Sequence, residues 1–206
     1  NKKDDLKLWA YSRIDTVPNP ELLKEIRKAG FRWLCLGIES GDKEIRLEVA
    51  KGKFEQVDVK KVVKQIEEAD INVLANYIYG LPGDNHESIE NTYQLSVELN
   101  TLGWNTYAAM ALPGTPLYSS AKANGLKLPE NYEDFSFHSY SALPLPTEDL
   151  KAYQVLEKRD RNFHRYFERK EFLDKLEKSF GSCAKQNVLT MLEKKLTRKI
   201  IEEKSA

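Results

Sequence analysis

The stretch INVLANYIYGLPGD, residues 71–84, decides the fold of this chain. Its first nine residues are mostly apolar and β-prone, and Gly80 and the four residues after it form a turn rich in glycine and proline. Helical spacing of apolar residues then resumes at Ile89, Tyr93 and Val97. The stretch therefore predicts a buried strand, a tight turn and a helix, and ligands of α/β proteins bind at that end of a strand.

The same alternation of strand and helix extends to both sides of this stretch. Strand-like segments lie at residues 8–12, 31–38, 71–79 and 104–112, and helical segments lie at residues 20–29, 42–49, 57–69 and 117–124. Four consecutive strand-helix units predict a parallel sheet with right-handed crossovers. We expect residues 1–127 to form part of a TIM-like barrel, because four units are too few for a complete one.

The rest of the chain has a different pattern. Residues 128–146 are rich in aromatic residues, proline and serine, which indicates an ordered connection and not a flexible linker. Residues 147–206 predict a helical C-terminal extension, with helices at 150–166, 171–180 and 188–203. The predicted fold is therefore an α/β partial barrel followed by helices.

Composition excludes several classes of protein. The chain has 206 residues, of which 41% are hydrophobic, and its 32 basic residues balance 32 acidic ones. Because the net charge is zero, no overall field draws the chain to nucleic acid, and the basic residues between Lys158 and Lys170 are interpreted as a solvated helix face. No apolar run reaches the roughly 20 residues of a membrane span. We expect a soluble protein of the cytoplasm, without a nucleic-acid or membrane partner.

Polar side chains follow the predicted strands. Arg13 ends the first, Glu39 and Ser40 end the second, and Asn76 lies near the end of the third. In a parallel barrel these positions converge on one mouth. An arginine can hold a carboxylate by paired hydrogen bonds, while Glu39 and Asn76 can hold the two hydroxyls of a ribose.

The end of the fourth predicted strand is apolar. Met110 and Leu112 precede a Pro-Gly turn and would offer a wall to a flat base. Together with the polar residues, this wall describes a site for an adenosine joined to an amino acid.

Structural interpretations of the same residues stay open. Glu39 and Asn76 can serve as helix caps or loop hydrogen-bonding residues, and Arg13 can simply pair with Asp15. Cys35 is interpreted as a small buried hydrophobic residue. The three histidines have no spacing that suggests a metal site.

Three motifs at strand ends resemble one known family. They are GIESG at residues 37–41, NYIYGLPGD at residues 76–84 and ALPGTPLY at residues 111–118. In this order they resemble the radical S-adenosylmethionine superfamily. They are most similar to the branch with a cobalamin-binding domain, which includes the anaerobic magnesium-protoporphyrin monomethyl ester cyclases.

The resemblance implies a barrel of six units, of which this chain supplies the last four. It implies that Glu39 and Asn76 contact the ribose, that Arg13 lies near the methionine carboxylate, and that the strand from Ile78 to Gly80 lies under the adenine. Lys51 matches a position where relatives keep a basic residue near that carboxylate. The implied cofactors are S-adenosylmethionine, a [4Fe-4S] cluster and, in this branch, cobalamin. The implied reaction is reductive cleavage of S-adenosylmethionine to a 5'-deoxyadenosyl radical, which modifies a small-molecule substrate by methylation, cyclisation or a similar change.

One departure from the family is large. The superfamily binds its cluster through three cysteines spaced Cys-x3-Cys-x2-Cys, whereas this chain has two distant cysteines, Cys35 and Cys183, and no cobalamin-binding loop of the Asp-x-His-x-x-Gly type. Because a cluster needs more thiolate ligands, the chain by itself is expected to be inactive. We expect it to be the later part of a longer enzyme, with the first part of the barrel as its partner or with copies of itself covering the exposed edge.

Two other classes of function stay open. One is an unrelated nucleotide-binding α/β enzyme, against which the lack of a glycine-rich phosphate loop after a strand counts. The other is a non-catalytic binding or interaction domain that retains half of a barrel.

Overall fold

The computed structural model describes residues 6–16, 19–49 and 57–205. Its centre is a four-stranded sheet in the order β1-β2-β3-β4, with every neighbouring pair parallel. The strands are β1 (Leu8–Arg13), β2 (Phe31–Glu39), β3 (Asn72–Tyr79) and β4 (Gly103–Ala108). The predicted parallel α/β architecture is therefore confirmed.

Helices connect the strands and complete the chain. They are α1 (Pro20–Lys28), α2 (Lys43–Val49), α3 (Val59–Glu68), α4 (His86–Leu99), α5 (Pro116–Ala123), α6 (Ala152–Phe167), α7 (Lys170–Phe180), α8 (Ser182–Leu192) and α9 (Lys199–Ser205). Short 3-10 turns lie at Ile14–Thr16 and Tyr132–Phe135. None of the helices in the described ranges is long and apolar enough to cross a membrane.

Capping explains where the main helices start. Asn19 accepts a hydrogen bond from the Glu21 amide in front of the proline that begins α1, and Asp58 caps α3 in the same way. Asn85 forms a capping box with Ser88 at the start of α4. The helix α4 therefore begins directly behind the turn that ends β3, as its sequence predicts.

One face of the sheet is packed against helices. Alternate residues of β2, namely Leu34, Leu36 and Ile38, are at most 3% exposed and share a core with Leu23 of α1 and Val63 of α3. We call this the helix face. The opposite face of the strands, which we call the open face, carries Tyr11, Cys35, Gly37, Asn76, Asn105 and Tyr107 in adjoining registers.

The C-terminal helices extend the core of the helix face. Trp104 of β4 stacks on Tyr166 of α6 with ring centroids 5.2 Å apart, and Phe172 of α7 is fully buried against the same Tyr166. The hydroxyl of Tyr166 donates to the Thr101 carbonyl at 2.7 Å. These helices and the sheet therefore share one hydrophobic cluster.

Two predicted boundaries were wrong. The fourth strand ends at Ala108 instead of residue 112. The Ala109 amide still donates to the Tyr79 carbonyl of β3, but the Ala109 carbonyl accepts from the Leu145 amide, so the chain leaves the sheet at this residue. The single helix predicted at 188–203 is two helices, α8 and α9. Arg198 lies between them with its side chain 1% exposed, so a tertiary contact overrides the local helical pattern.

Candidate functional site

The carboxyl end of β2 contains an irregularity that places Glu39. Gly37 pairs with Asn76 and Glu39 pairs with Tyr77, so Ile38 is an extra residue, as in a β-bulge. Glu39 has a φ of 67°, a left-handed conformation that is uncommon for a residue other than glycine. The bulge turns Glu39 back over Gly37, where a Cβ atom on Gly37 would lie 2.3 Å from the Glu39 Oε1.

The Glu39 carboxylate lacks a partner in the described part of the chain. The carboxylate makes no hydrogen bond or ion pair with any described residue, and burial raises the pKa of Glu39. A carboxylate that loses water without gaining a donor is in an unfavourable environment. The side chain is therefore ready to accept hydrogen bonds from a bound molecule.

Ser40 and Gly41 attach this strand end to α4. Ser40 is fully buried, its hydroxyl lies 3.2 Å from the Thr92 hydroxyl, and it accepts from the Asp42 amide. A Cβ on Gly41 would lie 2.6 Å from the Asn91 carbonyl oxygen, so only glycine allows this approach. Ser40, which the sequence predicts at the mouth of the barrel, therefore uses its hydroxyl for contacts within the protein.

Asn76 lies beside Glu39 on the open face and is 7% exposed. Its amide nitrogen donates to the Leu36 and Leu74 carbonyls at 3.2 Å, and its oxygen accepts from the Asn105 side chain at 3.3 Å. Asn105 was missed by the sequence analysis because it lay inside a segment interpreted as an apolar strand. Residues 103, 105 and 107 share one face of the strand, because side chains alternate between the two faces. This alternation could have predicted that Asn105 lies on the same face as Tyr107.

The turn after β3 is fixed by Asp84. Its carboxylate accepts from the amides of Gly80 and Leu81 and from the Ser88 hydroxyl. Burial is the main reason that the pKa of Asp84 is raised, and these hydrogen bonds oppose the shift. The motif in residues 80–84 is thus a rigid turn, held by a buried carboxylate that the sequence analysis did not single out.

Ile78 and Gly80 lie at the carboxyl end of β3. Gly80 has a φ of 81°, and a Cβ there would lie 2.9 Å from Val155 of α6, so the turn and α6 need glycine at this point. Ile78 is half-buried, on the open face beside Tyr107 of β4. Backbone and an apolar side chain are therefore present where the adenine is expected.

The remaining predicted site residues do not all face the same site. Arg13 holds Asp15 by two hydrogen bonds of 3.0 and 2.7 Å, so the pair that the sequence analysis left open exists. Met110 is 8% exposed and packs with Val155, whereas Leu112 is 42% exposed. The apolar wall expected from these two residues is therefore divided, with Met110 in the core and Leu112 at the surface. Lys51 lies outside the described residues.

Two tyrosines of the outer strands, Tyr11 of β1 and Tyr107 of β4, lie on the open face. Burial is the main reason that the pKa of Tyr107 is raised. Tyr107 is also in contact with the Phe137 ring, with ring centroids 4.8 Å apart.

Comparisons with known proteins indicate what the chain is similar to. Residues 6–96 match the family model described as the radical SAM superfamily. The chain is 26% identical over 172 residues to the anaerobic magnesium-protoporphyrin IX monomethyl ester cyclase of Cereibacter sphaeroides, and the match covers 81% of this chain and 26% of that protein. The chain thus spans about a quarter of that relative.

Two solved structures have a similar fold. The radical S-adenosylmethionine methyltransferase TsrM of Kitasatospora setae, solved with cobalamin and a [4Fe-4S] cluster, matches with a TM-score of 0.52 and 21% identity over 63% of this chain and 26% of that one. Coproporphyrinogen III oxidase of Escherichia coli, a radical SAM enzyme, matches with a TM-score of 0.55 and 16% identity over 80% of this chain and 32% of that one. At these identities the two structures indicate the fold alone.

Proposed function

We propose that this chain belongs to the radical SAM superfamily, whose family model matches residues 6–96, and that its open face binds the nucleoside of S-adenosylmethionine at the carboxyl ends of β2 and β3. The chain would act as part of a radical SAM enzyme that modifies a small-molecule substrate. Glu39 would accept hydrogen bonds from the ribose hydroxyls.

The bulge at Glu39 is the observation that carries this proposal. Left-handed backbone at a residue other than glycine costs about 1–3 kcal/mol and is often retained at functional sites. Here the cost is combined with a carboxylate that burial disfavours and that finds no donor among the described residues. A ribose, with two neighbouring hydroxyl donors, would supply what the carboxylate lacks.

Neighbouring residues fit the rest of the nucleoside. Asn76 uses its amide nitrogen for the Leu36 and Leu74 carbonyls, so Asn76 would offer its side-chain oxygen and Asn105 its second N–H group beside Glu39. Ile78 and the backbone at Gly80 would support the adenine, with Leu112 at its margin. Arg13 would release Asp15 and bind the methionine carboxylate in its place, because the guanidinium group can hold either carboxylate by paired hydrogen bonds.

The cluster does not fit the residues of this chain. Cys35 is 3% exposed in the middle of β2, and Cys183 is exposed on α8. In the described ranges, no group of three or more His, Cys, Asp or Glu side chains could hold a metal. We therefore propose that the ligands of the cluster, and any cobalamin-binding domain, lie outside these 206 residues.

S-adenosylmethionine, when bound, supplies radical chemistry to members of this superfamily, and this chain would supply its position. Methylation and cyclisation are both compatible with the proposed role, since neither depends on the residues that hold the nucleoside. The relatives' names support this class of reaction without selecting a substrate for this chain.

Binding of S-adenosylhomocysteine tests the proposal without the cluster. In protein with 15N-labelled asparagine, the side-chain signals of Asn76 and Asn105 should shift saturably with ligand. Glu39→Gln should weaken binding about tenfold, because it removes a charged acceptor of hydrogen bonds. Glu44→Gln, on the exposed side of α2, is the matched control and should bind like the wild type.

The pH dependence of binding gives a second measure. Since the ionised Glu39 would bind the ribose and its pKa is raised, affinity should fall as pH drops through that pKa, and Glu39→Gln should lose this dependence.

The raised pKa also means that Glu39 stabilises the fold below its unfolded pKa and loses this contribution as pH rises through the folded value. At pH 7.5, Glu39→Gln should therefore be at least as stable as the wild type. Unchanged ligand affinity in this folded variant would refute the assignment.

A further inference from the structure

A cleft of about 300 Å³ lies between α6 and the segment that joins α8 to α9. It is separate from the nucleoside site proposed above, because none of the residues proposed for that site lines it. It is lined by His138, Arg159, Asp160, Phe163, His164, Met191, Lys194 and Leu196.

Arg159 forms the charged floor of the cleft. Its side chain is 9% exposed, its Nε donates to the Thr106 carbonyl at 2.9 Å, and its Nη1 donates to Asp160 at 2.9 Å. No acceptor for the remaining nitrogen, Nη2, is found among the described residues, and this nitrogen is not enclosed by protein. Arg159 therefore has a fixed orientation and a donor left for a ligand.

The acidic residue of the cleft is already neutralised. Asp160 accepts two hydrogen bonds from Arg198, at 2.8 and 3.0 Å, and Arg198 also donates to the Ser139 carbonyl. This leaves Arg159 and Lys194 as positive charges in excess, since Lys194 is exposed and has no ion pair with a described residue. The pKa of His138 is lowered by burial first and then by Arg159 and Arg198, as expected of a positive environment.

The local excess of positive charge is specific to this region. The whole chain has 32 basic and 32 acidic residues, so a positive cleft does not follow from the composition. A second shallow groove shares Asp160, His164 and Leu196 with the cleft, and its lining carries Arg161, Arg165 and Lys195 against Asp160 and Glu168. Basic residues therefore outnumber acidic ones along the groove, which favours anions at this end of the molecule.

The walls between these charges are apolar. Phe163 lies under the Arg159 guanidinium at 5.5 Å, and Met191 and Leu196 are 36% and 43% exposed at the rim. Exposed large apolar side chains next to a concavity are typical of a binding site. A methionine adapts its shape to a flat or branched ligand.

We propose that this cleft binds a small organic acid, with an apolar body against Phe163, Met191 and Leu196 and a carboxylate on Arg159 and Lys194. The cleft volume is at the lower limit of small-molecule sites, which suits a compact ligand. Paired donors of an arginine and a lysine match a carboxylate, and the apolar walls favour a ligand with few other polar groups.

The two methionines of the chain provide a test with an internal control. Met191 lines the cleft, while Met110 is buried in the core near the start of α6. In protein labelled at the methionine methyl carbons, 2-naphthoate should shift the Met191 signal saturably through the ring current of the ligand. The Met110 signal should stay in place.

Matched ligands and variants test the charge. The neutral 2-naphthylmethanol should bind at least fivefold more weakly than 2-naphthoate. Lys194→Gln should raise the Kd of 2-naphthoate about three- to fivefold, and Leu196→Asp should raise it more than tenfold by adding a negative charge, whereas Lys122→Gln on α5 should leave it unchanged. Both cleft residues are exposed, so these variants should fold.

Three results would overturn the proposal. They are no saturable shift of Met191 with 2-naphthoate, equal affinity for the acid and the alcohol, or an unchanged Kd in Lys194→Gln and Leu196→Asp. Binding of S-adenosylhomocysteine is followed at different residues, so failure at the cleft and failure at the nucleoside site are distinguishable.

Discussion

At the scale of single residues, Gly37 and Gly41 are needed for different reasons. Gly37 leaves room for the Glu39 side chain to fold back over β2, whereas Gly41 lets the backbone approach α4. The obstacle to a Cβ at Gly37 is the far end of a flexible side chain. At Gly41 the obstacles are the Asn91 carbonyl oxygen and the Thr92 Cα at 2.6 Å, which are backbone atoms and cannot rotate away.

Alanine substitutions at these two glycines should therefore differ, with Gly37→Ala acting mainly on ligand binding and Gly41→Ala mainly on stability. Gly37→Ala should cost less than about 1 kcal/mol of unfolding free energy, but it should displace the Glu39 carboxylate and weaken S-adenosylhomocysteine binding about tenfold. Gly41→Ala should cost about 1–3 kcal/mol because of overpacking. Urea unfolding and ligand titration of both variants measure this. Equal destabilisation by the two substitutions would show that Glu39 is not free to move.

At the scale of elements, α6 connects the sheet to the rest of the C-terminal helices. Its aromatic residues pack on Trp104 of β4, and its Arg159 donates to the Thr106 carbonyl at the outer edge of that strand. The helix α7 then adds Phe172, which contacts the rings of Tyr166 and Phe167. The last helices are therefore part of the core that supports the strand ends.

Removing the Phe172 ring tests this dependence. Phe172→Ala should cost about 3–5 kcal/mol of unfolding free energy, since the ring is fully buried. The loss should appear in one transition, with tryptophan fluorescence and far-ultraviolet circular dichroism changing together. Tyr132→Ala, at a side chain that is 87% exposed, is the control and should change stability by less than about 0.5 kcal/mol. Two separate transitions would mean that the helices fold apart from the sheet.

At the scale of the whole molecule, the two edges of the sheet differ. The β4 edge is covered by α6, but β1 pairs with β2 alone among the described residues. On β1, Trp9 is 60% exposed and Tyr11 is 67% exposed, and their rings contact each other at 5.4 Å. An exposed strand edge with large apolar side chains favours pairing with another chain.

The 206-residue chain should therefore self-associate as its concentration rises. In sedimentation velocity, the weight-average mass should increase between micromolar and hundreds of micromolar protein. Tyr11→Lys should shift this association to at least fivefold higher concentration, because charge opposes edge pairing, while Tyr132→Lys should leave it unchanged. A monomer at all these concentrations, or equal association of both variants, would contradict a role for the β1 edge.

Much of this architecture could be predicted from local sequence. The run at residues 71–79 and the turn after it became β3 and its turn, and Asn19 with Pro20 marked the start of α1. These features depend on periodicity, capping and glycine conformation, which act over a few residues. The motif at residues 37–41 also indicated the family, and the match over residues 6–96 confirms that resemblance.

Tertiary structure alone decided how the candidate site is built. A bulge in β2 sets the direction of the Glu39 side chain, the Ser40 hydroxyl contacts Thr92 on α4, and Met110 packs in a hydrophobic cluster with residues of α6. The split between α8 and α9 likewise depends on the ion pair of the buried Arg198 with Asp160. Each of these outcomes is set by contacts between residues far apart in sequence, whose energies exceed local preferences. The sequence by itself determined the order of the strands and the helices between them and the resemblance to a family, and the packing of those elements determined which side chains are left for a ligand.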